Sequence, residues 1–190
     1  MNKAIKNSIA IILIIIASVG LGYVYDKITV SLEKRSHPLM YETIVEKYSE
    51  EYNVPKEIIY SVIKAESSFK SDAVSPAKAI GLMQITEDTF DWLMKRLGEN
   101  LSAGLLYDPN TNIKYGTYYL NYLYKEFNSW DIAFAAYNAG PNKVKNYWIN
   151  NPEYILNNEI VYIPIEETRN YIKKVNKNIE VYKRLYFGKN

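Results

Sequence analysis

An uncharged run over residues 7–25, dominated by Ile, Leu, Val and Ala and bracketed by Lys6 and Asp26, opens the chain. The core of a secretory signal spans roughly 7–15 residues, whereas a membrane-crossing helix needs about 20. The run therefore predicts a single N-terminal hydrophobic helix over residues 1–25, acting as an uncleaved membrane anchor. Ser18, Gly20 and Gly22 are small enough for cleavage, which would make the protein a secreted one, but no Ala-x-Ala pattern accompanies them. Lys3, Lys6 and the terminal amine favour a cytoplasmic N-terminus and place the chain beyond Asp26 outside. Residues 26–38 then turn charged and read as a stalk, with a domain over residues 39–190.

Within that domain the apolar positions recur at helical spacing. Tyr41, Ile44, Val45, Tyr48 and Tyr52 mark a helix from Met40 to Tyr52, broken by Asn53-Val54-Pro55. Pro55 suits the first turn of the next helix, which runs to about Ser68. Ser71 to Gly81 reads as a loop, with Ser75-Pro76 as its turn. Glu87 to Leu97 is helical with acidic residues at its start, favourable to the helix dipole. Asp108 caps a long helix begun by Pro109, whose buried stripe is Ile113, Gly116, Leu120, Leu123 and Phe127. Asp131 to Ala139 is a short apolar helix stopped by Gly140-Pro141. A last helix from about Glu166 to Leu185 buries Tyr171, Val175, Ile179 and Tyr182. Strand patterns are weak, so the domain is expected to be mainly α with little or no sheet.

Composition narrows the chemistry by exclusion. Lys and Arg total 23 against 21 Asp and Glu, which gives no reason to expect nucleic acid as a partner. There is no Cys and a single His, His37, beside Pro38 in the charged connector. Thiol nucleophiles, disulfides and Cys-ligated metals are thereby excluded, and a Ser-His-Asp triad or His-rich zinc site lacks its histidine within the domain. Carboxylates remain as the acid–base groups; no cofactor or metal is called for, and a monomer is expected. Most of the 19 tyrosines reflect a general compositional bias, while a few are suited to lining a sugar-binding groove.

Among the carboxylates Glu66 stands apart. It ends the second helix-patterned stretch and lies within about 60° of Ile59, Val62 and Ile63 around the helix axis, on the side that should be buried. A carboxylate is rarely buried unless it is paired or put to use. Three further segments set polar groups and glycine among apolar residues at helix ends or loops: Gly81-Leu82-Met83-Gln84, Ala136-Tyr137-Asn138-Ala139-Gly140, and Ile163-Pro164 with Glu167-Thr168-Arg169. Each alone has an ordinary explanation in turns, capping and packing.

In this order after Glu66-Ser67, and with Ser75, they resemble the catalytic domain of the soluble lytic transglycosylase family, within the lysozyme-like superfamily. The resemblance covers roughly residues 40–187. It implies a helical lysozyme-like fold and cleavage of the β-1,4 bond between N-acetylmuramic acid and N-acetylglucosamine in peptidoglycan, leaving 1,6-anhydromuramoyl ends. By the same resemblance Glu66 is the single catalytic acid–base, and Ser75, Gln84, Tyr137, Asn138 and Glu167 line the substrate groove or steady the catalytic carboxylate. Two departures from the family pattern are Lys78, where glycine is common, and Thr86-Glu87, where an apolar–proline pair is frequent.

Glycoside cleavage passes through an oxocarbenium-like sugar, and the leaving oxygen must be protonated as the bond breaks. The donor must be neutral at working pH, so the site has to lift Glu66 above the ordinary value near 4.3. The resemblance implies that the same carboxylate then takes the proton of the sugar's own C6 hydroxyl as it attacks C1, a step favoured by proximity. Two alternatives stay open on the sequence. One is a hydrolytic muramidase on the same fold, with Asp72 the best candidate for a second carboxylate. The other is a non-catalytic wall-binding module held at the membrane.

Overall fold

The computed structural model describes residues 2–188, and the chain divides into two units, one up to Pro38 and one from Leu39 onward. The first unit is one helix, α1, Lys3–Ser36. The residues read as a stalk continue this helix, because nothing between Asp26 and Arg35 breaks it: there is no Pro or Gly in that stretch. It stops where Pro38 disfavours helical backbone at His37, whose N–H still donates to the Glu33 carbonyl. Its Ile11–Ser36 portion is long and apolar enough to cross a membrane.

The second unit is a helical bundle. Its elements are α2 (Glu42–Tyr52), α3 (Lys56–Glu66), α4 (Glu87–Leu97), α5 (Pro109–Phe127), α6 (Trp130–Ala139), the short α7 (Pro141–Lys143) and α8 (Glu166–Tyr182). α3 packs along α8, α6 lies against both α5 and α8, and α2 packs on α5. Ile59, Ile63, Leu120, Phe134 and Val175, one or more from each of α3, α5, α6 and α8, are fully buried where these helices meet.

Local chemistry accounts for most boundaries. The Asp108 carboxylate accepts from the Thr111 N–H, and Pro109 occupies the first turn of α5. All five residues of the α5 stripe are buried. α4 begins after Thr86, whose hydroxyl accepts from the Thr89 N–H, and ends at Gly98 with φ 67°. Thr86 thus supplies a cap where the family favours another pair. α8 buries Tyr171, Val175 and Tyr182, while Ile179 is only half-buried. Beyond Tyr182 the backbone widens into a π-turn, Lys183–Phe187, so the last helix is shorter than its apolar pattern.

Three pieces lie outside the sequence expectation. A 3₁₀ turn spans Ala103–Tyr107 and a π-turn spans Val144–Trp148. The strands β1 (Ile155–Leu156) and β2 (Glu159–Ile160) form an antiparallel hairpin. Asn157 and Asn158 take left-handed backbone, φ 50° and 63°, at its turn. The domain is mainly α, and this hairpin is its one two-stranded sheet among the described residues.

Candidate active site

Glu66 is the last residue of α3, and the residue after it fastens that helix end to the loop opposite. The Ser67 hydroxyl, buried, donates to the Leu82 carbonyl at 2.8 Å and accepts from the Phe69 N–H at 3.1 Å. The chain then turns through a segment rich in left-handed backbone. Ser68, Phe69, Lys78 and Gln84 all have φ between 49° and 69°. Such conformations cost side-chain-bearing residues about 1–2 kcal/mol each and gather where a structure over-determines them. Lys78, with φ 58°, sits where the family commonly has glycine, and its backbone shows why glycine suits that place.

Asn112 of α5 holds this loop. Its side chain is fully buried and reaches three backbone groups: the amide nitrogen donates to the carbonyls of Ile80 (2.9 Å) and Leu106 (2.8 Å), and the oxygen accepts from the Met83 N–H (2.7 Å). Gly81 passes so close to that amide that a Cβ would collide with it and with the Leu106 carbonyl. Gly116, one turn along α5, makes room for the Met83 side chain in the same way. Leu82 and Met83 are fully buried, so Gly81, Leu82 and Met83 turn and pack the chain.

The predicted site residues fall into three groups. Gln84, Tyr137 and Asn138 line a shared depression of about 260 Å³, together with Thr86, Thr89 and Tyr119. Gln84 is held by its side-chain amide, which donates to the Ala73 and Gly81 carbonyls. The Tyr137 hydroxyl donates to the Met83 carbonyl at 2.7 Å, and its ring lies 5.1 Å from that of Tyr119. Asn138 accepts from the Thr168 hydroxyl at 2.7 Å, tying the end of α6 to α8. Glu66 and Glu167 belong to a second group on the α3 and α8 side, joined to the depression through Tyr137, which feels the charge of Glu66. Ser75 stands apart in its turn, where its hydroxyl accepts from the Ala79 N–H at 3.1 Å. Asp72 is exposed on the same loop.

The Glu66 carboxyl is partly buried, and loss of hydration pushes its pKa up to about 7. Two groups on α8 oppose that rise and one adds to it. The Tyr171 hydroxyl and then the Lys174 ammonium favour the ionised form, while the Glu167 carboxylate disfavours it. The Tyr171 hydroxyl is buried and makes no hydrogen bond of ordinary length and angle. It lies near enough to Glu66 to favour the ionised carboxylate. Lys174 is anchored beside the same helix end, donating to the Ala65 carbonyl at 2.5 Å. Glu167 is exposed, and Arg169 is engaged elsewhere, donating to the Ile163 carbonyl and the Tyr162 hydroxyl.

Sequence reasoning assigned Tyr171 to the core and did not single out Lys174 or Asn112. The signal for the first two was present: Glu167, Tyr171 and Lys174 follow an i, i+4, i+7 spacing that sets them on one face of α8. Asn112 gave no such sign, because a polar residue in the first turn of a helix reads as solvated.

A model of the transglycosylase SLT domain matches residues 43–160. The chain is 35% identical over 162 residues to the soluble lytic murein transglycosylase of Escherichia coli, covering 83% of this chain and 25% of that protein. It is 34% identical over 170 residues to membrane-bound lytic murein transglycosylase C of Actinobacillus succinogenes, covering 76% of this chain and 47% of that one. The chain thus spans between a quarter and a half of the length of these relatives. Among solved structures, the 70 kDa soluble lytic transglycosylase of E. coli superposes with TM-score 0.73 at 33% identity, over 80% of this chain and 25% of that one. An inactive Glu-to-Gln mutant of the lytic transglycosylase Slt from Pseudomonas aeruginosa does so with TM-score 0.72 at 28% identity, over 82% and 26%. With Glu66 at a helix end, a loop pinned against it and a matched stretch that takes in every predicted site residue from Glu66 to Asn138, the chain belongs to the transglycosylase SLT domain family.

Proposed function

We propose that this protein is a peptidoglycan lytic transglycosylase, cleaving the β-1,4 bond between N-acetylmuramic acid and N-acetylglucosamine and leaving 1,6-anhydromuramoyl ends. The observation that carries the reading is the Glu66 carboxyl, lifted to about 7 by its surroundings at the end of α3 in an SLT domain. A carboxyl with that value is protonated in a large fraction of molecules near neutral pH and is a competent base once ionised. Glu66 donates its proton to the glycosidic oxygen as the bond to C1 breaks. The resulting carboxylate, with Lys174 beside it and the Tyr171 hydroxyl near, then accepts the proton of the C6 hydroxyl as O6 closes on C1. The carboxylate that Glu66 feels is that of Glu167, which raises its proton affinity. That is the effect wanted of a neighbour to a general acid.

Gln84, Tyr137 and Asn138 form the wall along which the sugar lies, each held by a hydrogen bond to the protein. Ser75 serves the same wall indirectly, by closing the turn that carries it. α1 anchors the domain to the membrane with the second unit on the extracytoplasmic side, in keeping with the apolar length of the helix and with Lys3 and Lys6 ahead of its uncharged run.

Glu66→Gln keeps the shape of the side chain and removes the proton. Digestion of purified sacculi should fall by about 100-fold or more, the usual contribution of a general acid. Mass analysis of the wild-type products should show ends one water lighter than reducing ends. Reducing ends throughout would assign a hydrolase, and wild-type lysis by the Glu66→Gln variant would refute the assignment of Glu66.

A further inference from the structure

At the end of the bundle away from Glu66 lies a hollow of about 310 Å³ that the glycan-cleaving reaction does not use. Ser49, Asn53, Val54 and Pro55 line it from the end of α2 and the turn into α3, and Tyr124 and Trp130 from the end of α5 and the start of α6. It shares no residue with the proposed sugar wall. Both α3 and α6 begin here and run to the site. α3 carries 11 residues from Pro55 to Glu66, about 16 Å, and α6 carries 10, with Tyr137 and Asn138 in its last turn.

The aromatic part of the hollow is a stack rooted in the core. The rings of Tyr124 and Trp130 lie 4.2 Å apart at 20°, and Trp130 lies 5.9 Å from Phe134 at 25°. Phe134 is fully buried. Around the stack stand polar groups with capacity to spare. None of the described residues hydrogen-bonds the Asn53 side-chain amide, the Tyr124 hydroxyl or the Trp130 indole N–H. The Ser49 hydroxyl donates to the Val54 carbonyl at 2.7 Å and can still accept.

None of the six lining residues is charged, so nothing here repays the desolvation of a phosphate, a carboxylate or an ammonium. The lining selects a neutral ligand. Apolar ring surface edged by amide and hydroxyl groups suits a pyranose, which has an apolar C–H face and a polar rim. The Asn53 amide offers a donor and an acceptor together, the complement of an acetamido group. At the small end of the roughly 300–1,000 Å³ of ligand pockets, the hollow takes one sugar residue and not a strand.

We propose that this hollow is a second saccharide site, which takes a single N-acetylhexosamine of the wall and holds the domain there while Glu66 acts on another stretch of glycan. Two attachments joined through one rigid domain raise retention on an insoluble wall more than either does alone. The choice of ligand rests on the transglycosylase reading, since that reaction is what brings acetamido sugars to the domain.

The probe is chitotriose, the β-1,4-linked trimer of N-acetylglucosamine, titrated into the full chain in detergent micelles with isotope-labelled indoles. The three tryptophans, Trp92, Trp130 and Trp148, report separately. The Trp130 signal should move saturably. N53G keeps the left-handed backbone, φ 53°, and deletes the amide, and should weaken that binding about fivefold, the size of one hydrogen bond. Y124L deletes the ring and should weaken it about as much. Cellotriose, which lacks the acetamido groups, should bind wild type about as weakly as chitotriose binds N53G. Both variants should release product from sacculi several-fold more slowly than wild type while matching it on short soluble strands. A Trp130 signal that does not move, movement unaffected by N53G and Y124L, cellotriose bound as well as chitotriose, or a proline-rich peptide bound more tightly than either would overturn the proposal. So would an equal loss of rate on sacculi and on soluble strands. Saturable binding at Trp130 in a protein that cleaves no glycan would keep the site and reject the transglycosylase reading. Cleavage without binding there would do the reverse.

Discussion

The Glu66 carboxyl is lifted by burial and held back by Tyr171 and Lys174, and those opposed influences can be separated by substitution. The charged groups facing it come from α8, Glu167 and Lys174, with the phenols of Tyr171 on α8 and Tyr137 on α6. Activity of a general acid is lost as pH rises through its free-enzyme pKa, so the alkaline limb of kcat/KM should fall near pH 7. Lys174→Met removes a charge that favours ionisation and should move that limb upward. Glu167→Gln removes a like charge and should move it downward. Limbs that shift together, or not at all, would show that α8 does not set the acid. The same shift has a thermodynamic consequence whose sign is fixed. The folded-state value near 7 lies above the ordinary 4.5, so the favourable state is the protonated one. That stabilisation is complete below pH 4.5 and disappears as pH rises through 7. Above that, ionised Glu66 costs the fold on the order of 3 kcal/mol relative to a neutral side chain. Urea unfolding should therefore find Glu66→Gln close to wild type at pH 4 and more stable at pH 8.

Between Ser67 and Ile85 the site depends less on propensity than on a single side chain from another element. Asn112 satisfies two carbonyls and one N–H of that segment and of the turn before α5, all in the interior. Asn112→Leu nearly keeps the volume but leaves those backbone groups unpaired, at about 1–3 kcal/mol each. The expected loss is about 3 kcal/mol or more by urea unfolding, with glycan cleavage falling further than the lost stability explains. A loss under about 1 kcal/mol would mean that the loop finds other partners. This is also the scale at which sequence reading succeeds unevenly. The span of α4 and the start of α5 were legible, because acidic residues mark the first turn of the one and Asp108 and Pro109 act on the other. The hairpin at residues 155–160 and the π-turns were not. Two-residue strands carry no period, and a π-turn is decided by what packs around it. Glu66 itself was legible because a carboxylate on an apolar stripe is a local contradiction. Tyr171 was not, since a tyrosine on an apolar stripe contradicts nothing.

At the scale of the whole chain, two units follow different rules. The second is closed around its own interior, with α3, α5, α6 and α8 each burying a face against another helix of the same unit. The first is a helix on which most large apolar side chains from Ile11 to Leu32 are exposed, as suits a solvent other than water. Among the described residues, the core of the second unit is drawn from Leu39 onward. A chain beginning at Leu39 should accordingly unfold within about 0.5 kcal/mol of the full protein, the range for changes away from structural contacts. It should cleave isolated sacculi at a comparable rate and, unlike the full chain, stay in the supernatant when membranes are sedimented. If the shortened chain still sedimented with membranes, the anchor would have to be sought on the domain itself. If it lost its cooperative transition, the division after Pro38 would not be a boundary of folding. On the proposed reading the anchor sets where the domain meets the wall, while the chemistry belongs to Glu66 and the loop that Asn112 holds in place.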